Sequence, residues 1–386
     1  MIERILERAK AIFKFTIKLV AVLLVLTALY SFNLFMMKPF SVDHFLGKEL
    51  ILDLIESPEE LTYVGILDRF DWITKHNSKL SIPQDDDIDN DIKQIEKVIK
   101  TLYKYDDSRL SDIQKSTKKI AIFDYENQLK ELKDFPYLDY PLNQIGGIHL
   151  NTIEFMNSVH PIRSDSEAIA FIKRTDLVKD VYQGVLNHLK KQADNGIYPP
   201  EFVYGHVINQ LDEFINVVNT EHPLYKQFML KIKKLELSND QVDYLEKEIT
   251  RSINESVTPG FKLLRNFMAN TKKNANPNHG IWSQPGGDEY YKLKIRTFTT
   301  TDYSPEEIHQ MGLNEVKRIS SRMREILTSL GYAESKSVGE LMNELNENPD
   351  FLYADTPDRK EIVVNDYTDM VNEAIRVMTD YFHTMP

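Results

Sequence analysis

The sequence predicts a mainly α-helical protein with an N-terminal transmembrane helix. Two observations lead there. Most long segments repeat apolar residues at steps of three and four, the period of a helix that buries one face. Near the N-terminus, the run Leu19 to Met37 (LVAVLLVLTALYSFNLFMM) carries no charge over 19 residues, close to the ~20 that a helix needs to cross the hydrocarbon core. No regular series of alternating strand segments competes with this reading.

The first 38 residues hold Arg4, Arg8, Lys10, Lys14, Lys18 and Lys38 against Glu3 and Glu7, a net of +4; with −12 overall, the remainder carries −12 − 4 = −16. Five basic residues precede the span and Lys38 alone follows it closely, which places the N-terminus in the cytoplasm and the acidic body on the far side. Lys14 and Lys18 can snorkel toward the head groups. A cleaved signal peptide and a buried core helix are the alternatives. The run is longer than a typical signal-peptide core and no clear small-x-small cleavage site follows it. The expectation is a basic stub and retained single-pass anchor over 1–37 in the inner (cytoplasmic) membrane. The helical domain, 38–386, then lies on the extracytoplasmic side, which is periplasmic in a Gram-negative cell.

Composition narrows the function classes. Charged residues at 27% and hydrophobic residues at 42% fit a folded chain, and Gly 14 and Pro 16 are too few for a low-complexity one. With Cys 0 there is no disulfide framework, thiol nucleophile, Cys-held metal or cysteine-linked lipid. The negative charge disfavours nucleic acid as a partner.

Helices are expected over about 42–56, 59–76, 89–104, 110–133, 165–193, 200–219, 222–235, 239–254 and 257–273. The clearest runs from Pro305 to Leu330, where Ile308, Gly312, Val316, Ile319, Met323, Ile326 and Leu330 share a face. Ser304 and Glu307 frame its start as a capping box, with Pro305 at the first helical position and Gly331 just past the end. Thr356–Pro357 opens another helix, with Ile362, Tyr367, Met370, Ala374, Val377 and Tyr381 as its buried stripe. Tyr290 to Thr301, YYKLKIRTFTTT, is rich in aromatic and β-branched residues and reads as an extended piece or short hairpin. No fixed-period repeat is present. The whole reads as an elongated helical domain.

Chemistry-bearing motifs are sparse. A zincin helix needs two His four residues apart with a Glu beside the first. The closest of the ten His are His149 and His160, eleven apart, and no His is followed by Glu. No nucleophile elbow, phosphate loop or dinucleotide fingerprint occurs. Asp85, Asp87, Asp89 and Glu96 match four EF-hand positions, but Asn90 stands where the loop needs Gly, so a solvated helix start is the simpler reading. No catalytic residue and no metal ligand is assigned. The stretch from Gly280 to Tyr291 joins turn residues to large aromatics; a structural turn accounts for it, and so does a ligand groove. Tyr290, Tyr291 and Arg296 are the candidate substrate-binding residues, since Arg can clamp a carboxylate and Tyr can donate to an oxyanion.

From about Leu142 onward the chain resembles the bacterial domain of unknown function 885 family. The segments that carry this are YPLNQIGGIHLNTIEFMNSVHPIRS (140–164), NGIYPPEFV (195–203), the Gly286–Gly287–Asp288–Glu289–Tyr290–Tyr291 turn, TFTTTDYSPEEIHQMGLNEVKRI (297–319) and YFHTMP (381–386). The resemblance, weaker before 135, reaches from about 60 to 386. It implies a helical zinc metallopeptidase-like protein acting on peptides or small amides. The family's His-Glu-x-x-Pro-Gly-His segment, whose Glu would activate a zinc-bound water, belongs downstream of the YFHTMP equivalent and is absent here. The expected picture is a truncated, N-terminal part, inactive alone and lacking a C-terminal half as its partner. Zinc is then expected only in a full-length member, and no cofactor in this chain. The alternative is a non-catalytic, membrane-anchored helical module that binds peptides or a partner.

Overall fold

The computed structural model describes residues 2–382, with side chains for residue 10 and from residue 12 onward. The YFHTMP ending lies outside the described residues from 383, as do the side chains of Arg4 and Arg8. Helices make up the fold, and among the described residues there is no strand beyond a single bridge between Pro200 and Asn276. The chain forms two compact units, one running to Thr301 and one beginning at Asp302.

The first unit opens with α1 (Ile2–Met36). Its stretch Ile12–Met36, 25 residues, is long and apolar enough to cross a membrane, and its most apolar window is unburied, unlike a helix inside a soluble core. The Asn33 side chain closes the turn that follows, donating to the Lys38 carbonyl at 3.1 Å and accepting from the Phe40 amide at 3.0 Å. Four helices come next: α2 (Val42–Glu56), α3 (Pro58–Val64), α4 (Asp71–Thr74) and α5 (Asp87–Leu102). The helix expected over 59–76 is broken at Gly65 and again at Lys75, both in the left-handed region (φ 69 and φ 52). α6 (Asp112–Asp134) starts in a capping box made by Ser111 and Gln114. A small core of Val42, Phe45, Val98, Leu102 and Tyr105 joins α2 to α5.

The main core follows, built by α7 (Ile148–Glu154), α8 (Asp165–Asp176), α9 (Val178–Asp194), α10 (Glu201–Asn216), α11 (Pro223–Ile232), α12 (Asn239–Ser252) and α13 (Thr258–Thr271). Phe214 stacks on Phe261 at 4.8 Å, and Phe261 meets Tyr182 at 5.4 Å. The single helix expected over 165–193 divides at Leu177. Ser256, in a π-helical turn (Ile253–Val257), serves that break by accepting from the Lys179 amide and donating to the Asp176 carbonyl. No proline or glycine marks it in the sequence.

α14 (Gly287–Thr299) corrects the expectation of an extended piece at Tyr290–Thr301. Composition favoured a strand, but local geometry favours a helix. Gly286 takes φ 75 ahead of the first turn, where Asp288 and Glu289 complement the helix dipole. Thr297 and Thr299 return their hydroxyls to the carbonyls of Leu293 and Ile295, one turn back. Gly287 is required by close approach: a Cβ there would stand 1.8 Å from the Ile281 carbonyl oxygen.

The second unit contains α15 (Pro305–Ser329), α16 (Val338–Glu347) and α17 (Arg359–Met378). α15 has the expected capping box, Ser304 with Glu307, and Gly331 follows at φ 90. The apolar stripes behave differently from a buried face. Val316 is 63% exposed and Ile319, Ile326 and Leu330 stay at the surface; in α17 the stripe expected to be buried is exposed too, Tyr367 to 61%. Helical periodicity reports which residues share a face, not whether anything covers it.

Candidate functional site

α2, α5 and α6 line an open-sided cavity of about 550 Å³. On α2 the buried residues Val42, Phe45 and Glu49 share a face with Asp53 and Glu56, which follow at the same spacing where that face opens to the surface. Three carboxylates thus sit where a helix would ordinarily bury apolar residues. α5 adds Asp91, Gln94, Ile95 and Val98; α6 adds Tyr125, Gln128, Glu131 and Leu132; Phe135, Asp139 and His188 complete one end.

Six carboxylates line this groove, and among the described residues no lysine or arginine does. Three of the six have partners at its edge. Glu49 pairs with Lys48 at 2.5 Å, Glu131 with Lys294 at 2.5 Å, and Asp139 with His188 at 2.8 Å. The others face one another with little compensation. Asp53 has only a long contact, 3.4 Å, from the Gln94 amide. Burial and then Glu49 raise its pKa from the ordinary aspartate value. Asp91 is raised too, first by burial and then by Asp87, Glu56 and Asp53. The Tyr125 phenol is pushed up by burial and then by Asp53, Glu49 and Asp124. The field in the groove disfavours further negative charge, so the complementary ligand is an ammonium or guanidinium group set against apolar walls.

Tyr290 meets the edge of this groove. Its ring lies edge-on to Phe135 at 5.6 Å and its hydroxyl is 3.4 Å from Glu131. Burial, then Glu131, raises its phenol pKa. Tyr291, the next residue of α14, is half exposed, and Arg296 stacks over Phe123 at 5.2 Å. The three candidate binding residues therefore do not converge: one reaches the groove, and two lie elsewhere on α14. The groove acids themselves went unassigned from sequence, although acidic residues at i, i+4 and i+7 in line with Val42 and Phe45 were a visible signal.

Among the described residues no group of three metal-binding side chains is assembled. The EF-hand-like residues are used separately: Asp85 pairs with Lys191, Asp87 accepts from the Gln84 amide, and Glu96 pairs with Lys133. The described acidic residues of this run are thus not gathered at one point. His188 and Asp139 form a base-and-orienter pair, yet no serine, threonine or cysteine lines the cavity to act as nucleophile.

The model of a family described as "Bacterial protein of unknown function (DUF885)" matches residues 58–386. No curated protein matches the chain. Among solved structures, the chain is similar to "the putative lipoprotein from Colwellia psychrerythraea", with a TM-score of 0.75 at 23% identity over 86% of this chain and 59% of that one. It is also similar to "a putative lipoprotein of unknown function from Shewanella oneidensis", with a TM-score of 0.55 at 11% identity over 85% of this chain and 58% of that one. The likeness is one of fold, and this chain spans somewhat less than three-fifths of the length of either relative.

Proposed function

The chain belongs to that family of bacterial proteins of unknown function, and on this premise we propose that it is a membrane-anchored, metallopeptidase-like protein's N-terminal, ligand-holding part. In this reading α1 anchors the chain in the inner membrane and the acidic groove faces the extracytoplasmic space. The groove holds the cationic end of a peptide or small amide, and the described residues contribute no metal-dependent step. The lipoprotein description belongs to the two relatives; this chain has no cysteine to carry a lipid, and α1 takes that role here.

One observation carries the reading. Glu49, Asp53, Glu56 and Asp91 converge on a cavity about 550 Å³ in volume without a lining lysine or arginine. That size lies within the range of small-ligand sites. Carboxylates whose ionised form is disfavoured by burial and by one another gain a counterion when an organic cation binds. The test is calorimetric titration of the full chain in detergent with lysinamide, a dication. Saturable binding is expected, weakened about a hundredfold in Asp53→Asn/Asp91→Asn, since two charge-assisted contacts worth roughly 1.5 kcal/mol each are lost. Equal affinity in the double variant would reject the groove as the site.

A second reading keeps the anchor and the groove but makes the protein a non-catalytic module. The two diverge at the second unit. The exposed rows of α15 and α17 favour further polypeptide as a partner, matching the roughly two-fifths of the solved relatives that this chain does not span. Dye binding to exposed apolar surface would be strong in the first case and weak in the second.

A further inference from the structure

The segment after the span is amphipathic in the wrong sense for a water-facing surface. On α2, Ile51 and Ile55 lie on the side away from the groove acids and Leu50 on its flank, each more than half exposed. Beyond α2, Tyr63, Val64, Ile66, Phe70, Trp72 and Ile73 are all exposed, Trp72 to 75%. Their polar neighbours turn inward: Thr62, His76 and Asn77 are buried. Asp68 takes an ion pair from Arg163 at 2.7 Å, and Asp71 accepts from the Asn77 amide at 2.9 Å. Arg174, fully buried, donates to Thr62 and to the carbonyls of His76 and Lys79. This is a pinned segment that presents apolar side chains outward, not a frayed loop.

We infer that this face lies on the surface of the lipid bilayer, as an interfacial belt continuous with the anchor. The inference rests on the reading of α1 as a membrane span. Continuity is the first argument. The Asn33 bonds close the turn between span and body, and Phe40 stands 80% exposed at that junction. Orientation is the second. His44 shares the outer face of α2 with Ile51 and Ile55, seven and eleven residues on, and its ring meets Tyr30 of α1 edge-on at 5.6 Å. Tyr30 lies six residues before the end of α1, about 9 Å down the helix, so the outer face of α2 is turned toward the side on which the span enters lipid. Composition is the third. Trp72, Tyr63 and Phe70 interleaved with exposed Arg69 and Lys75 are the side chains that settle at head-group depth. α2 would then serve two surfaces at once, with groove acids on one face and lipid on the other.

The chain has two tryptophans, Trp72 and Trp282, so Trp282→Phe leaves Trp72 alone. The full-length variant is reconstituted into vesicles of phosphatidylcholine and phosphatidylglycerol with brominated or plain acyl chains. Flotation after a carbonate wash reads the anchor, and tryptophan quenching reads the belt. The expected result is flotation with Trp72 emission reduced about twofold by bromine, the depth of an interfacial side chain, and less quenching when Ile73→Glu is added. Trp72→Phe, which leaves Trp282, sets the background. Flotation with Trp72 unquenched, or quenched no more than Trp282, overturns the belt while the anchor stands. Failure to float overturns both.

Discussion

Arg174 shows most directly what single residues do in this fold. It is fully buried without a carboxylate in contact, and its fork is filled by the carbonyls of Lys79 and His76, the Thr62 hydroxyl and the His160 ring, with the Phe155 face 5.0 Å away. Burial lowers its pKa to about 10. Replacing it by methionine keeps volume but orphans those acceptors. Arg174→Met is expected to lose about 3 kcal/mol in denaturant titration, and Arg174→Lys nearly as much, because an ammonium cannot reproduce the fork. His222 provides a pH test. Its Nδ1 accepts from the Leu224 amide at 3.2 Å, while Nε2 is buried without a partner among the described residues. Burial lowers its pKa from 6.5 to about 4. The unfolded chain takes up this proton near pH 6.5 and the native chain refuses it until about 4. The resulting stability is present above 6.5 and lost as pH falls toward 4, by roughly 3 kcal/mol. His222→Asn keeps a cap acceptor, so its melting temperature should fall less steeply between pH 7 and 4.5 than that of the native chain. The difference between the two series isolates His222 from His149 and His160, which burial also depresses.

Elements differ in how openly the sequence announces them. α2 matches its expected limits and α15 its expected capping box, because apolar spacing and cap chemistry are local signals. α14 was misread because β-branched and aromatic content outweighed the start signals at Gly286, Asp288 and Glu289. The break at Leu177 was invisible because it is served by Ser256, 79 residues away in sequence. The exposure of the α15 and α17 stripes is likewise a tertiary fact that periodicity does not contain. Two glycines separate packing from propensity. At Gly287 a Cβ would collide with the Ile281 carbonyl, whereas at Gly312, inside α15, nothing lies within 4 Å. Thermal melts should show Gly287→Ala destabilising by about 2 kcal/mol or more. Gly312→Ala should stabilise by roughly 0.5–1 kcal/mol, the helix propensity difference.

At the scale of the molecule, the long apolar N-terminal helix and the family were legible early. An uncharged 19-residue run with basic flanks marks a membrane span or a signal sequence, and the family shows in the order of several short motifs. The groove was not legible, because its acids come from three helices and the segment after α6, spread over residues 49 to 139, and only folding brings them together. The proposed role of the groove is to hold organic cations. The most direct measurement is equilibrium dialysis of the full chain in detergent against zinc, paired with an assay of peptide-amide hydrolysis and with lysinamide titration of the same sample. Saturable lysinamide binding with neither stoichiometric zinc nor turnover is the predicted result. One zinc per chain accompanied by hydrolysis would contradict it.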